Sequence, residues 1–121
     1  MKDTYKKLRI IHTFKKYARL GLASGKLDAI DTYERIKGCS RSRKEACELI
    51  AVYETVRFLK ISGKADTLNA LYAVYFSLSG KGVRKSEISE RVLRYATDNF
   101  CDERTVYRKL AFAVLVYESL L

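Results

Sequence analysis

The chain has no proline and no tryptophan, and only six glycines among its 121 residues. Proline and glycine punctuate turns, so their scarcity argues against a turn-rich β fold and for long helices. No run of about eighteen apolar residues occurs, so no membrane span is expected. The first residues hold no apolar secretion core, and their basic residues are interleaved with others, so no secretory leader is expected. Histidine occurs once, as His12. A general base needs an orienting group and a nucleophile nearby, and none is evident. His12 therefore reads as structural, and the chain reads as no enzyme, without catalytic residues. The three cysteines are Cys39, Cys47 and Cys101. They make no Cys-x-x-Cys pair and, with His12, match no zinc spacing, so neither metal nor cofactor is expected. An odd count without a leader points to free thiols in a reducing compartment, the cytoplasm. Their side chains are expected to serve as small buried hydrophobes.

What the chain does have is apolar material and positive charge. Hydrophobic residues make up 48%, enough for one domain with one core. The net charge is +10, which suits a densely negative partner: nucleic acid first, an acidic membrane surface second. That charge is uneven. Residues 1–26 hold eight basic residues and one acidic, whereas residues 86–121 hold five basic and six acidic.

The spacing predicts an all-α bundle in three stretches. Basic helices fill 1–40, a helical hairpin fills 41–78, and a helix-turn-helix fills 86–121. A helix over 4–24 steps through Leu8, Ile11, Phe14, Ala18 and Leu22, widened by Ile10, Tyr17 and Leu20. Lys6, Lys7, Arg9, Lys15, Lys16 and Arg19 would fill its outer face, either against phosphates or as a solvated surface. Asp28 can cap a helix carrying Ile30, Tyr33 and Ile36, which Gly38 would close. Ser42-Arg43-Lys44-Glu45 has the capping-box form and opens a helix to Ser62, with Gly63 at its C′ position. A helix over 64–78 would place Leu68, Leu71, Tyr72, Tyr75 and Leu78 on one side. The nine tyrosines and five phenylalanines fall mostly at such stripe positions, which favours core packing over a base-stacking platform.

Ser79-Gly80-Lys81-Gly82-Val83-Arg84-Lys85 is a basic link, read either as a phosphate contact or as an ordinary solvated loop. Ser86 would cap the next helix. That helix buries Ile88, Val92, Tyr95 and Ala96, and a turn at Cys101-Asp102 follows, with Phe100 and Cys101 in the core. Asp102 caps the last helix, whose stripe is Val106, Leu110, Ala113, Val114 and Tyr117. This leaves Arg104, Tyr107 and Arg108 outward, where arginine can bond guanine bidentately. Thr105 and Lys109 at the margins, with Lys81, Arg84 and Lys85, would hold phosphates. Beyond Leu110 the helix is apolar nearly all round, so the hairpin or a second subunit must cover it.

The string Asp102-Glu103-Arg104-Thr105-Val106-Tyr107-Arg108-Lys109-Leu110 resembles the turn and recognition helix of sigma factor region four and of many response regulators. The usual glycine before the N-cap is replaced here by Phe100-Cys101. Over residues 43–121 the chain resembles small phage-encoded transcription regulators of the ArpU/RinA kind. The resemblance implies a sequence-specific DNA-binding transcriptional regulator, acting near a phage late promoter and in contact with RNA polymerase. The alternative is a helical interaction module that dimerises through its C-terminal helix and binds no DNA.

Overall fold

Among the described residues, six α-helices and one short 3₁₀ turn make up the regular structure of this computed structural model. It describes residues 2–79 and 82–121, with side chains from Lys6 onward. The helices are α1 (Lys2–Arg19), α2 (Ala29–Cys39), α3 (Arg43–Ile61), α4 (Ala65–Ala73), α5 (Lys85–Asp98) and α6 (Glu103–Leu120), with the 3₁₀ turn at Leu22–Ser24. No strand occurs among the described residues, and the protein is an all-α bundle. The last helix is its hub: α6 packs on α3, α4 and α5, while α1 and α2 lean on α3.

Local chemistry sets most helix ends. Asp28 accepts from the Asp31 N–H at 2.8 Å, and Ser42 Oγ accepts from the Glu45 N–H at 3.1 Å. The Glu45 carboxylate does not close the expected box onto Ser42. It reaches one residue further, to the Arg41 N–H at 3.2 Å, and also accepts from the Lys16 ammonium. α3 ends in a Schellman motif, with Gly63 at φ +73° and the Lys64 N–H on the Leu59 carbonyl at 2.9 Å. α2 runs through Gly38 and stops at Cys39.

Two helices are shorter than their periodicity suggests. α1 stops at Arg19, where Gly21 turns left-handed and a 3₁₀ turn places Leu22 in the core. α4 stops at Ala73, and turns carry the chain on to Leu78. Val74, Tyr75 and Leu78 are all buried there, so the turns keep these side chains in the core.

Aromatic rings fill the centre. Phe14 lies 5.9 Å from Tyr75, 5.9 Å from Phe76 and 5.3 Å from Tyr117, centroid to centroid. Such offset pairs stabilise beyond the area they bury. Several residues depart from expectation. Ile30 and Tyr33 are exposed, and Thr32 and Ile36 take the buried face of α2 instead. Tyr33 is nonetheless held, its hydroxyl donating to Glu54 at 2.6 Å. Cys39 and Cys47 are exposed and Cys101 half-buried, so the thiols are not all core hydrophobes. Lys15, expected on the outer basic face, is 2% exposed. α6 is covered on one side only: Leu115, Leu120 and Leu121 remain exposed.

Candidate nucleic-acid interface

The turn between α5 and α6 is built as at Gly63. The Phe100 N–H bonds the Thr97 carbonyl at 3.3 Å, and the Cys101 N–H bonds the Ala96 carbonyl at 2.9 Å. The C′ residue is Phe100, at φ +52°, where glycine ordinarily sits. Ala96 is buried and Cys101 packs against the core, which gives the motif its hydrophobic contact. Phe100 was expected in the core with Cys101; it is 98% exposed. A left-handed C′ residue swings its side chain away from the helix it terminates, so the core cannot claim it.

Asp102 then opens α6, its carboxylate accepting from the Arg104 N–H at 3.2 Å and its carbonyl from the Thr105 N–H at 3.0 Å. From there the faces separate. Val106 and Leu110 are buried, and Arg104, Tyr107 and Arg108 are exposed. Arg104 and Arg108 sit one helical turn apart on one face. Neither joins an ion pair among the described residues. Two guanidinium forks thus stand open at the start of a helix whose later turns are anchored in the bundle. Chemically the pair can only donate, to phosphates, carboxylates or guanine edges.

The margins of the helix are tied down. Thr105 is half-buried. Lys109 was expected to reach phosphate, and its Nζ instead lies 3.4 Å from Asp66 Oδ2 on α4. Burial pushes the Asp66 carboxyl up, but the Thr67 N–H and the Lys109 ammonium outweigh it and hold the group below its usual range.

The basic link is anchored at both ends. Glu87 on α5 accepts from the Ser79 N–H at 2.8 Å and its hydroxyl at 3.0 Å, and pairs with Arg91 at 3.4 Å. These bonds, led by the Ser79 N–H, hold the Glu87 carboxyl low against the opposing effect of burial. Lys15 Nζ donates to the Gly82 carbonyl at 2.6 Å. Arg84 and Lys85 lie exposed between these anchors and in no ion pair among the described residues. Lys81 lies outside the described residues. Ser86 caps nothing: α5 begins one residue earlier, at Lys85, with Arg84 in the N-cap position and no side chain capping it.

No family model, curated protein or solved structure matches this chain. The interface therefore rests on its own geometry. The basic face of α1, read from the sequence as either a phosphate contact or a solvated surface, meets other cations in two places that the sequence did not reveal. Lys7 of α1 shares one cavity with Lys85 and Tyr107. Arg9, Lys16, Arg19 and Arg41 line a groove of about 500 Å³ between α1 and the start of α3, where Glu45 and Glu48 offset part of the charge. Basic composition flagged α1, but its meeting with Arg41 or Lys85 is long-range and has no signature in local spacing. No helix among the described residues is long and apolar enough to cross a membrane.

Proposed function

We propose that this chain is a sequence-specific DNA-binding transcriptional regulator of the phage-encoded kind that its 102–110 string resembles. The observation that carries the reading is the exposure of Arg104 and Arg108, unpaired among the described residues, on the first two turns of a helix whose next turns are buried. In this reading α5, the turn and α6 act as a helix-turn-helix. Arg104, Tyr107 and Arg108 enter the major groove, where an arginine fork matches the two acceptors of guanine. Arg84, Lys85 and Lys7 neutralise phosphate beside them, and counterion release makes that binding salt-dependent. Asp102 and Glu103 repel phosphate at the tip of α6, so backbone contacts must come from the flanks. Contact with RNA polymerase near a late promoter belongs to the same reading.

The test is selection of bound duplexes from a random pool with the whole chain, followed by fluorescence anisotropy on the recovered sequence across salt. Enrichment of one motif, with affinity falling as salt rises, is the expected result. A pool that stays random, with no binding at low salt, removes the reading.

One observation favours a second reading, an interaction module that pairs through α6. Phe112, Leu115 and Leu120 are exposed on that helix, and Leu121 just beyond it. Sedimentation equilibrium would report a dimer that Leu115→Glu converts to monomer. A dimer and DNA binding are compatible, since paired reading heads suit paired half-sites.

A further inference from the structure

One cavity lies among the residues that the DNA reading places beside the duplex. It has a volume of about 300 Å³ and lies where α1, the turns after α4, the start of α5 and the second turn of α6 meet. Leu8, Ile11 and Ile88 supply its apolar lining. Lys7 and Lys85 line it with exposed side chains, and neither joins an ion pair among the described residues. No carboxylate lines it among the described residues. The first turn of α5 borders it through Lys85, Ile88 and Ser89, and that helix starts without a side-chain cap, so the positive end of its dipole adds to the two ammonium groups.

A tyrosine hydroxyl belongs to the same place. Tyr75 lines the cavity and is 2% exposed, yet its hydroxyl makes no hydrogen bond among the described residues. Burial, and then the neighbouring Tyr107, push its phenol up to about 12, so at neutral pH it is a neutral donor. The hydroxyl oxygen is not sealed from solvent, so an acceptor entering the cavity can take its proton in place of water.

We propose that this cavity binds a small amphipathic anion, with a carboxylate head held by Lys7, Lys85 and the Tyr75 hydroxyl and an apolar body lying on Leu8, Ile11 and Ile88. Pockets for small molecules begin near this volume and carry this mixture, mostly apolar lining with a few convergent polar groups. A water occupies roughly 30 Å³ of liquid, so the cavity suits a body of about ten heavy atoms. A medium-chain fatty acid or an arylalkanoate has that size. Tyr107 forms part of the wall and also stands on the outward face of α6. An occupant that moves Tyr107 would thereby alter DNA binding. That consequence rests on the proposed function, whereas the binding site does not.

The test uses the whole chain without DNA, so failure of the site and failure of the DNA reading can be told apart. Sodium octanoate is titrated into protein carrying labelled isoleucine methyls. The expected result is saturable shifts at Ile11 and Ile88, with the exposed Ile30 and Ile61 unmoved. Octylamine should bind at least tenfold more weakly than octanoate. Across hexanoate, octanoate, decanoate and dodecanoate, affinity should rise about fourfold per methylene and level off near ten heavy atoms. Lys7→Gln with Lys85→Gln should weaken octanoate at least tenfold while leaving the methyl spectrum of the core unchanged. Shifts spread over Ile30 and Ile61, equal binding of octylamine, or gains that continue through dodecanoate would each mean adsorption to surface and overturn the proposal. So would the absence of any saturable shift. These ligand comparisons are read on the unaltered chain, so a variant that failed to fold would not shelter the proposal.

Discussion

Lys109 on α6 and Asp66 on α4 form an ion pair, with Nζ and Oδ2 3.4 Å apart. The pair takes a lysine at the margin of the candidate reading helix and turns it back onto the bundle. Asp66 is 63% exposed, so the pair contributes at most about 1 kcal/mol to stability. Asp66→Asn keeps an acceptor for the Thr67 N–H and frees Lys109. Urea unfolding should move by less than about 1 kcal/mol. On the DNA reading, the freed ammonium adds one phosphate contact, and the slope of log affinity against log salt steepens by about one. An unchanged slope would mean that Lys109 does not reach the backbone even when released.

Phe100 carries a testable cost of its own. An L side chain in the left-handed region costs roughly 1 kcal/mol, and glycine escapes that cost while adding backbone entropy to the unfolded chain. The side chain is almost wholly in solvent, so its removal sacrifices little packing. Phe100→Gly should therefore raise stability by roughly 0.5–1 kcal/mol in denaturant unfolding. Phe100→Val should lower it, because branching at Cβ makes the left-handed conformation worse. A destabilised glycine variant would show that the ring makes contacts worth more than the strain.

Reading and gripping should separate by mutation. Arg108→Ala removes a candidate fork from base edges and should cost about 1–3 kcal/mol on the preferred sequence, with looser preference at one position. Lys85→Ala should weaken every duplex alike and lower the salt slope by about one. Anisotropy on preferred and scrambled duplexes over a salt series distinguishes the two patterns. If both variants bind as the parent does, these residues leave the interface.

Acid should loosen the contact between α1 and α3. The Lys16 ammonium, 2.5 Å from Glu45 Oε1, holds that carboxyl below its usual range; burial works against it and the Arg41 N–H adds to it. A carboxyl depressed by folding stabilises the native state once pH exceeds its unfolded value, so this contribution is complete at neutral pH. It is lost as pH falls through the ordinary glutamate range towards the lower folded value. Glu45→Gln should be less stable than the parent at pH 7, and the gap should close as the medium is acidified below that range. A gap that stays constant from pH 7 to strong acid would show that ionisation of Glu45 contributes nothing.

How much of this was legible beforehand follows from the range of each interaction. The all-α class, most helix boundaries, the caps at Asp28, Ser42 and Asp102, and the buried stripe Val106, Leu110, Ala113, Val114 and Tyr117 could all be read from the residues. Hydrogen bonds that start and stop helices span three to five residues, and a stripe recurs every 3.6, so both are written in local spacing. The open positions Arg104, Tyr107 and Arg108 followed from the same period.

Tertiary structure alone decided the rest. Lys15 looks like any other cation on α1, yet it is buried because Gly82, 67 residues away, offers its carbonyl at that spot. Lys109 turns inward because α4 happens to place Asp66 beside α6. The cavity exists only where Lys7, Tyr75, Lys85 and Tyr107 converge from four separate segments. Phe100 is the intermediate case. Its turn is local, and the packing of Ala96 and Cys101 on the core holds that turn although a residue other than glycine stands at C′. Local periodicity states which side of a helix faces protein. Which distant group waits on that side depends on how the helices pack, and that is a property of the whole chain.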